Sequence, residues 1–221
     1  MKREFLAYLG VMAVLFLLLL AWLFSTPEAI ARFAAPDYLK TETTLVKITL
    51  EGGHGSGVSI GNGYILTAAH VVKDAKAATL KTKDGKTRQA AVLWANTEYD
   101  IALLRSEDTK IDAATLDCRV AQAGDFITSY GNPLNVEFAS AYGRIAGEPR
   151  KFGPWQSVFV TDITTVMAQS GGPVFDADGR LIGITVGVMG APMGFSHSLV
   201  GYGFVVPSQA VCELLARGEP V

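Results

Sequence analysis

Between residues 45 and 206 the sequence is a succession of short runs rich in β-branched and aromatic residues, separated by turn-forming residues. Turn clusters such as Gly61-Asn62-Gly63 and Lys83-Asp84-Gly85 are typical of hairpin connections. Strands of this length at this spacing form barrels or sandwiches, so the pattern predicts an all-β domain. The predicted strands are 45–50, 57–60, 64–67, 78–82, 89–94, a run that starts at Asp100, 125–130, 136–144, 157–161, 181–186 and 201–206.

The β-rich sequence divides into two halves that could share a cleft. Residues 106–116 have weaker strand character and are expected to connect a first half, about 45–108, to a second half, about 117–206. A short helix is predicted over 207–217, because its apolar residues share one face and Gly218 follows as a stop. A chain of 221 residues accommodates this domain but not a large second one.

The N-terminal segment has the sequence of a transmembrane helix. Residues 5–24 contain no charge, and 20 helical residues at ~1.5 Å each span ~30 Å, the thickness of a bilayer core. Lys2 and Arg3 precede this run, and the positive-inside rule therefore places residues 1–4 in the cytoplasm and the rest of the chain outside. Residues 25–44 mix proline, alanine and charges without a period, which is typical of a tether.

A cleaved signal peptide is the alternative interpretation of this segment. The small residues Ala29-Ile30-Ala31 favour it, but an apolar run longer than the ~7–15 residues of a signal peptide opposes it. The length argument favours the uncleaved anchor.

The charge and cysteine content of the chain bear on nucleic-acid binding and on disulfides. The net charge is −2, and charges of both signs are spread along the chain, so we expect no nucleic-acid partner. Cys118 and Cys212 lie far apart in sequence, and two separately buried thiols are favoured over a bridge. No metal-ligand spacing occurs, and we expect neither a metal nor another cofactor.

Three side chains in the two halves fit nucleophilic catalysis. In the stretch 66–72, His70 lies at the end of an apolar strand, Asp100 begins another strand, and Ser170 opens Ser-Gly-Gly-Pro at 170–173. A serine hydroxyl needs a base, an imidazole suits that task, and the imidazole needs an acceptor on its other nitrogen. The order His, Asp, Ser is that of the chymotrypsin-like proteases, and it predicts a site in the cleft between the halves.

Other residues could also fill these roles. Ser-Gly-Gly-Pro alone is an ordinary turn, and Asp162, eight residues before the serine, could orient the loop. His54 and His197 do not end clear strand patterns and are interpreted as loop residues. The aspartates at 74, 84 and 178 are in turn contexts.

Several further motifs occur in order along the chain: Gly55-Ser56-Gly57-Val58, 63–72 with His70, 100–104 with Asp100, 131–133, 143–145, 161–162, 170–174, 178–184 and 203–208. On these motifs, residues 45–215 resemble the protease domain of the HtrA (Deg) branch of the chymotrypsin-like serine proteases. The resemblance implies two six-stranded β-barrels and endopeptidase activity on exposed or misfolded polypeptides at an envelope membrane. It also allows a homo-oligomer. Members usually carry a PDZ domain after the last helix, and since this chain ends at Val221 we expect none.

The sequence departs from the family before the nucleophile. The family has Gly-Asn-Ser or Gly-Asp-Ser, whereas this chain has Ala168-Gln169-Ser170. By the resemblance, the N–H groups of Ala168 and Ser170 form the oxyanion hole. Alanine lacks the freedom of glycine at positive φ, so a loop that requires this region would cost on the order of 1 kcal/mol. A protease-like binding module is therefore the alternative to an enzyme, while a hydrolase of small esters has little support.

Substrate specificity is also inferred from the resemblance. The residue six positions before the nucleophile, Thr164, is expected at the base of the primary specificity pocket, with Thr185, Val186 and Val188 on its wall. No acidic residue is available there to pair with a buried cation, so cleavage after Lys or Arg is disfavoured. We expect cleavage after Val, Ala or Ile.

Overall fold

The computed structural model describes residues 2–25, 41–193 and 196–218, in two units that comprise residues 1–39 and 40–221. The first unit contains helix α1 (Lys2–Ser25), whose side chains are described at positions 10 and 12–22. Its large apolar side chains are exposed from Met12 to Trp22. In the described part of the chain, no helix has both the length and the apolar character needed to cross a membrane. Most of the predicted tether, residues 26–40, lies outside the described residues.

The first half of the second unit is a closed six-stranded barrel. Its antiparallel strands follow the order β1-β2-β3-β6-β5-β4 around the barrel. A single helical turn, α2 (Ala69–Val72), leaves the end of β3. The strands are β1 (Leu45–Leu50), β2 (Gly53–Gly61), β3 (Tyr64–Thr67), β4 (Ala77–Thr82), β5 (Thr87–Asn96) and β6 (Ile101–Ser106).

The second half is a seven-stranded sheet with the order β11-β8-β9-β10-β13-β12-β7. Because β11 also pairs with β12, the six strands β8 to β13 form a closed ring of paired strands, the second barrel. Helix α3 (Ser208–Arg217) follows and ends at Gly218, which has a left-handed conformation. The strands are β7 (Thr115–Leu116), β8 (Phe126–Gly131), β9 (Ala139–Phe152), β10 (Trp155–Thr161), β11 (Pro173–Asp176), β12 (Arg180–Met193) and β13 (Ser196–Pro207).

A shared hydrophobic core joins the two barrels. Each barrel has its own interior cluster, around Ile48 and Ile65 in the first and around Ile127 and Phe159 in the second. A third cluster combines residues of both, including Leu66 with the helix residues of α3. The all-β class, the closed first barrel and the C-terminal helix agree with the sequence prediction, and the shared core fixes the cleft between the barrels.

Three strands, β2, β12 and β13, are longer than predicted, and the two-residue strand β7 lies in the predicted connection 106–116. Two further features differ from the predicted strands. The pattern predicts a strand over 136–144, whereas β9 starts at Ala139 and continues to Phe152. This strand crosses two glycines and a proline because bulges shift its pairing with β10. The short strand β11 was not predicted, since it directly follows the Gly-Gly-Pro turn.

The prediction of two separate thiols was wrong, because Cys118 and Cys212 form a disulfide. Cys118 follows β7, which pairs with β12, and helix α3 packs against the same β12. This arrangement brings the two Cα atoms within 5.9 Å across 94 residues of sequence. Sequence separation alone gave no sign of the contact.

Candidate active site

His70 and Asp100 meet where two neighbouring strands of the first barrel end. Strands β3 and β6 are antiparallel partners, with Thr67 opposite Ala102, so helix α2, which follows β3 and carries His70, lies beside Asp100, the residue before β6. The Nδ1 atom of His70 is 2.7 Å from Oδ2 of Asp100. The backbone N–H of His70 donates to Oδ1 of the same carboxylate at 2.8 Å. The pair is therefore fixed by both backbone and side chain.

The side chains of His70 and Asp100 differ in their exposure to solvent. The Asp100 side chain is 10% exposed, while that of His70 is 47% exposed. Since Nδ1 faces the carboxylate, Nε2 is the nitrogen left to exchange a proton with a substrate or a nucleophile. The buried acceptor holds the ring, and the exposed ring borders the cleft.

The loop of Ser170 is held by both barrels. Its carbonyl accepts a hydrogen bond from the backbone N–H of Ser56 in β2 at 2.8 Å. On the other side, Gly171 donates to the carbonyl of Thr185 at 2.7 Å, and Thr185 donates to Gly172 at 2.9 Å. Gly171 has φ +83°, and a Cβ there would lie 2.1 Å from the carbonyl oxygen of Ser56. The close approach of the barrels therefore requires this glycine.

Ser170 and His70 line one cavity of about 650 Å³. Within the described residues, no hydrogen bond joins the Ser170 hydroxyl to the imidazole. Such contacts are often loose in the absence of substrate and tighten when it binds. The cavity opens between the barrels, where an extended chain could reach both side chains.

The orientation of the peptide between Met167 and Ala168 decides where the Ala168 N–H points. The carbonyl of Met167 accepts a hydrogen bond from the backbone N–H of Leu134 at 3.2 Å. In a trans peptide the N–H points away from the carbonyl, so that of Ala168 faces the opposite side. The N–H groups of Ala168 and Ser170 have no acceptor among the described residues, and both residues line the cavity. Two free donors next to the serine can stabilise an oxyanion.

Ala168 has φ +70°, the region that favours glycine. For alanine this conformation costs about 1–2 kcal/mol. Two contacts offset the cost: the Ser56 hydroxyl donates to the Ala168 carbonyl at 3.0 Å, and the side chain of Gln169 accepts from the Val166 N–H at 2.6 Å. The loop thus keeps this conformation without the glycine of the family.

The four predicted pocket residues lie in different places. Val186 and Val188 line the cavity. Thr185 is buried behind it, where its backbone pairs with the serine loop. Thr164 is exposed and does not line the cavity, whereas the next residue, Thr165, is buried and does.

Among the described side chains, the alternative residues do not form a second triad. Asp162 accepts a hydrogen bond from the backbone of Arg144 at 2.6 Å and so stabilises β9. His54 lines the same cavity as Ser170 but has no hydrogen bond to Asp100 among the described residues, and His197 lies outside the described side chains. No group of three potential metal ligands is found among the residues that the structure describes.

Two functional contacts were not predicted from the sequence. The Ser56 hydroxyl connects the first barrel to the Ala168 carbonyl, and its position in Gly-Ser-Gly gave only a weak signal. The indole N–H of Trp155 donates to Oδ2 of Asp100 at 3.1 Å, and no local pattern predicts this contact.

Comparisons with known proteins agree with the fold. The family model described as trypsin-like peptidase domain matches residues 55–184. A DegP-like periplasmic serine endoprotease of Brucella suis biovar 1 is 32% identical over 175 residues, which are 75% of this chain and 33% of the relative. The periplasmic pH-dependent serine endoprotease DegQ of Escherichia coli (strain K12) is 31% identical over 163 residues, covering 71% and 35%. The chain spans about a third of the length of these relatives.

The comparison with solved structures also agrees with the fold. The HtrA-type protease AlgW with a tripeptide has a TM-score of 0.72 and 26% identity, covering 82% of this chain and 63% of that one. An inactive form of Rv3671c from M. tuberculosis H37Rv has a TM-score of 0.70 and 24% identity, covering 89% and 96%. The second likeness concerns the fold alone.

Proposed function

Because this chain belongs to the family of trypsin-like peptidase domains, and its relatives are of the HtrA branch, we propose that it is a serine endopeptidase. Ser170 is the nucleophile, His70 the general base and Asp100 the residue that orients the imidazole. The observation that carries the proposal is the hydrogen-bonded His70–Asp100 pair, whose imidazole lines the same cavity as Ser170. Among the described residues, the N–H groups of Ala168 and Ser170 have no acceptor.

The proposed reaction proceeds through an acyl-enzyme. Ser170 Oγ attacks the scissile carbonyl while Nε2 of His70 takes its proton, and the N–H groups of Ala168 and Ser170 stabilise the oxyanion. The imidazolium then protonates the leaving amine, and the C–N bond breaks. Water, deprotonated by His70, releases the acid and restores the serine.

Polypeptides in the cell envelope are the proposed substrates. The relatives are described as periplasmic serine endoproteases, and the cavity admits an extended chain. Val186 and Val188 give the cavity an apolar wall, which supports cleavage after Val, Ala or Ile. By likeness to the same relatives, we propose that a homo-oligomer can form.

The chain is further proposed to be anchored in the membrane through residues 5–24. The support is the uncharged sequence of this segment and the two cations before it. Protease added outside intact spheroplasts should digest the domain and leave the extreme N-terminus protected. Release of a soluble domain with a new N-terminus near Arg32 would instead support a cleaved signal peptide.

Hydrolysis of a peptide library by the full chain tests the proposed activity. We expect cleavage after small aliphatic residues, abolished by Ser170→Ala and strongly reduced by His70→Ala. Binding of peptides without any cleavage would favour the protease-like binding module, to which the positive φ of Ala168 also points. A dominant preference for Lys or Arg would refute the apolar pocket.

A further inference from the structure

We infer that Trp155 is a positioning residue for the catalytic pair, supplied by the second barrel to an aspartate of the first. The inference rests on the proposed function, since it assigns Asp100 a role in catalysis. Among the described residues, Trp155 has no hydrogen bond to Ser170 or Ala168 and does not line their cavity, so it acts through Asp100.

The carboxylate of Asp100 is oriented by donors on both oxygens. Within the described residues it accepts three hydrogen bonds: the His70 backbone N–H reaches Oδ1, whereas the His70 ring and the Trp155 indole both reach Oδ2. The backbone bond alone would leave the carboxylate free to turn about its bond to Cβ. A second fixed donor on Oδ2 opposes that turn, and it keeps the oxygen in the plane where the imidazole needs it.

The position of the indole is itself built into the fold. The ring packs on Phe204, with 5.3 Å between ring centroids, and Phe204 stacks in turn on Phe152 at 4.8 Å. Its other edge lies over Gly187, where a Cβ would come within 2.8 Å of the ring. Only glycine leaves space for the indole at this place in β12.

A backbone hydrogen bond next to the indole also joins the two barrels. The N–H of Gln156 donates to the carbonyl of Glu98 at 3.1 Å, in the turn that leads to Asp100. The end of the β9–β10 hairpin thus holds both the carboxylate and the segment that carries it. A shift between the barrels would move the donor away from Asp100 and release the imidazole.

The substitution Trp155→Phe removes the indole N–H and keeps an aromatic ring on Phe204. We expect kcat for a peptide substrate to fall about tenfold, with KM within about twofold, because a hydrogen bond to a charged group is lost while substrate contacts remain. The matched control is Trp94→Phe, the same change in a buried residue of the shared core; among the described residues Trp94 has no hydrogen bond to Asp100. This control should leave kcat within about twofold. An equal fall in both variants would overturn the inference.

A double-mutant cycle separates positioning from general packing. If Trp155 acts through the carboxylate, Trp155→Phe should have little effect on the residual rate of Asp100→Ala. The same tenfold loss in that background would assign the effect to the ring and refute the inference.

A readout independent of activity distinguishes failure of this inference from failure of the proposed function. In the full chain, the indole N–H of Trp155 should exchange with solvent more slowly than in Asp100→Ala, as followed by NMR. Slow exchange with no hydrolysis by the wild type would refute the proposed activity and retain the contact. Equal exchange in both chains would refute the contact itself.

Discussion

Replacement of Ser56 by alanine should destabilise the domain and slow catalysis together. The Ser56 hydroxyl donates to the Ala168 carbonyl at 3.0 Å and accepts from the backbone N–H of Asn132 at 2.9 Å. Ser56 and Asn132 are fully buried, so water cannot replace the partner that the Asn132 N–H loses, whereas the Ala168 carbonyl is only half-buried. Leaving a buried donor unpaired costs about 1–3 kcal/mol, and we expect a loss of this size.

The effect on turnover follows from the Ala168 carbonyl. Without the Ser56 hydroxyl, the strained residue loses a contact that offsets its positive φ, and its N–H leaves the position that an oxyanion needs. Loss of one oxyanion donor costs roughly 10²–10³ in kcat, and partial displacement should cost at least about tenfold.

Urea unfolding and peptide hydrolysis measure the two effects. The matched control is Ser59→Ala, because Ser59 is equally buried on the same strand. In the described part of the chain, its hydroxyl has one long hydrogen bond, which it accepts from the N–H of Gly61 at 3.4 Å. The control should cost less than about 1 kcal/mol and leave kcat nearly unchanged. Equal losses in the two variants would refute the role given to Ser56.

Three further predictions concern other contacts. Ala168→Gly should maintain or raise turnover, since glycine has no penalty at φ +70°, and a large loss in a hydrolysis assay would show that the loop depends on alanine. Hydrogen bonds from Lys81 and, to a smaller extent, from Lys47 lower the pKa of Glu137 from 4.5 to about 2. Glu137→Gln should therefore lower the unfolding free energy by about 1 kcal/mol at pH 7, a value reduced for solvent screening. This difference should vanish as the pH falls from 4.5 to 2, because the wild-type carboxylate becomes protonated. Unfolding curves that differ equally at pH 7 and pH 2 would contradict this. Replacing both Cys118 and Cys212 by serine should lower the unfolding free energy by about 2–5 kcal/mol. An unchanged urea midpoint would show that the disulfide does not stabilise the domain.

Local sequence patterns predicted most strands because turn clusters mark their ends. The pairing of β3 with β6 then follows from the barrel, which places His70 next to Asp100. The serine loop was predicted from Ser-Gly-Gly-Pro. Gly171 is required where the barrels come close, and Gly172 where the loop approaches the carbonyl of Tyr130.

The remaining features depend on how distant segments dock, which no local pattern encodes. Trp155 reaches Asp100 only because a hairpin of the second barrel lies over the first. The disulfide depends on the packing of α3 against β12. The base of the pocket was assigned by counting back from Ser170 to Thr164, but the buried cavity-lining residue is Thr165. Such a count does not give the direction in which each side chain points.

Labelling of the full chain by a fluorophosphonate serine probe tests the central claim most directly. The probe reacts with a hydroxyl only when a base activates it and donors stabilise the adduct. We expect one labelled peptide containing Ser170, no label in Ser170→Ala, and much slower labelling in His70→Ala. Equal labelling of the wild type and Ser170→Ala would contradict the account.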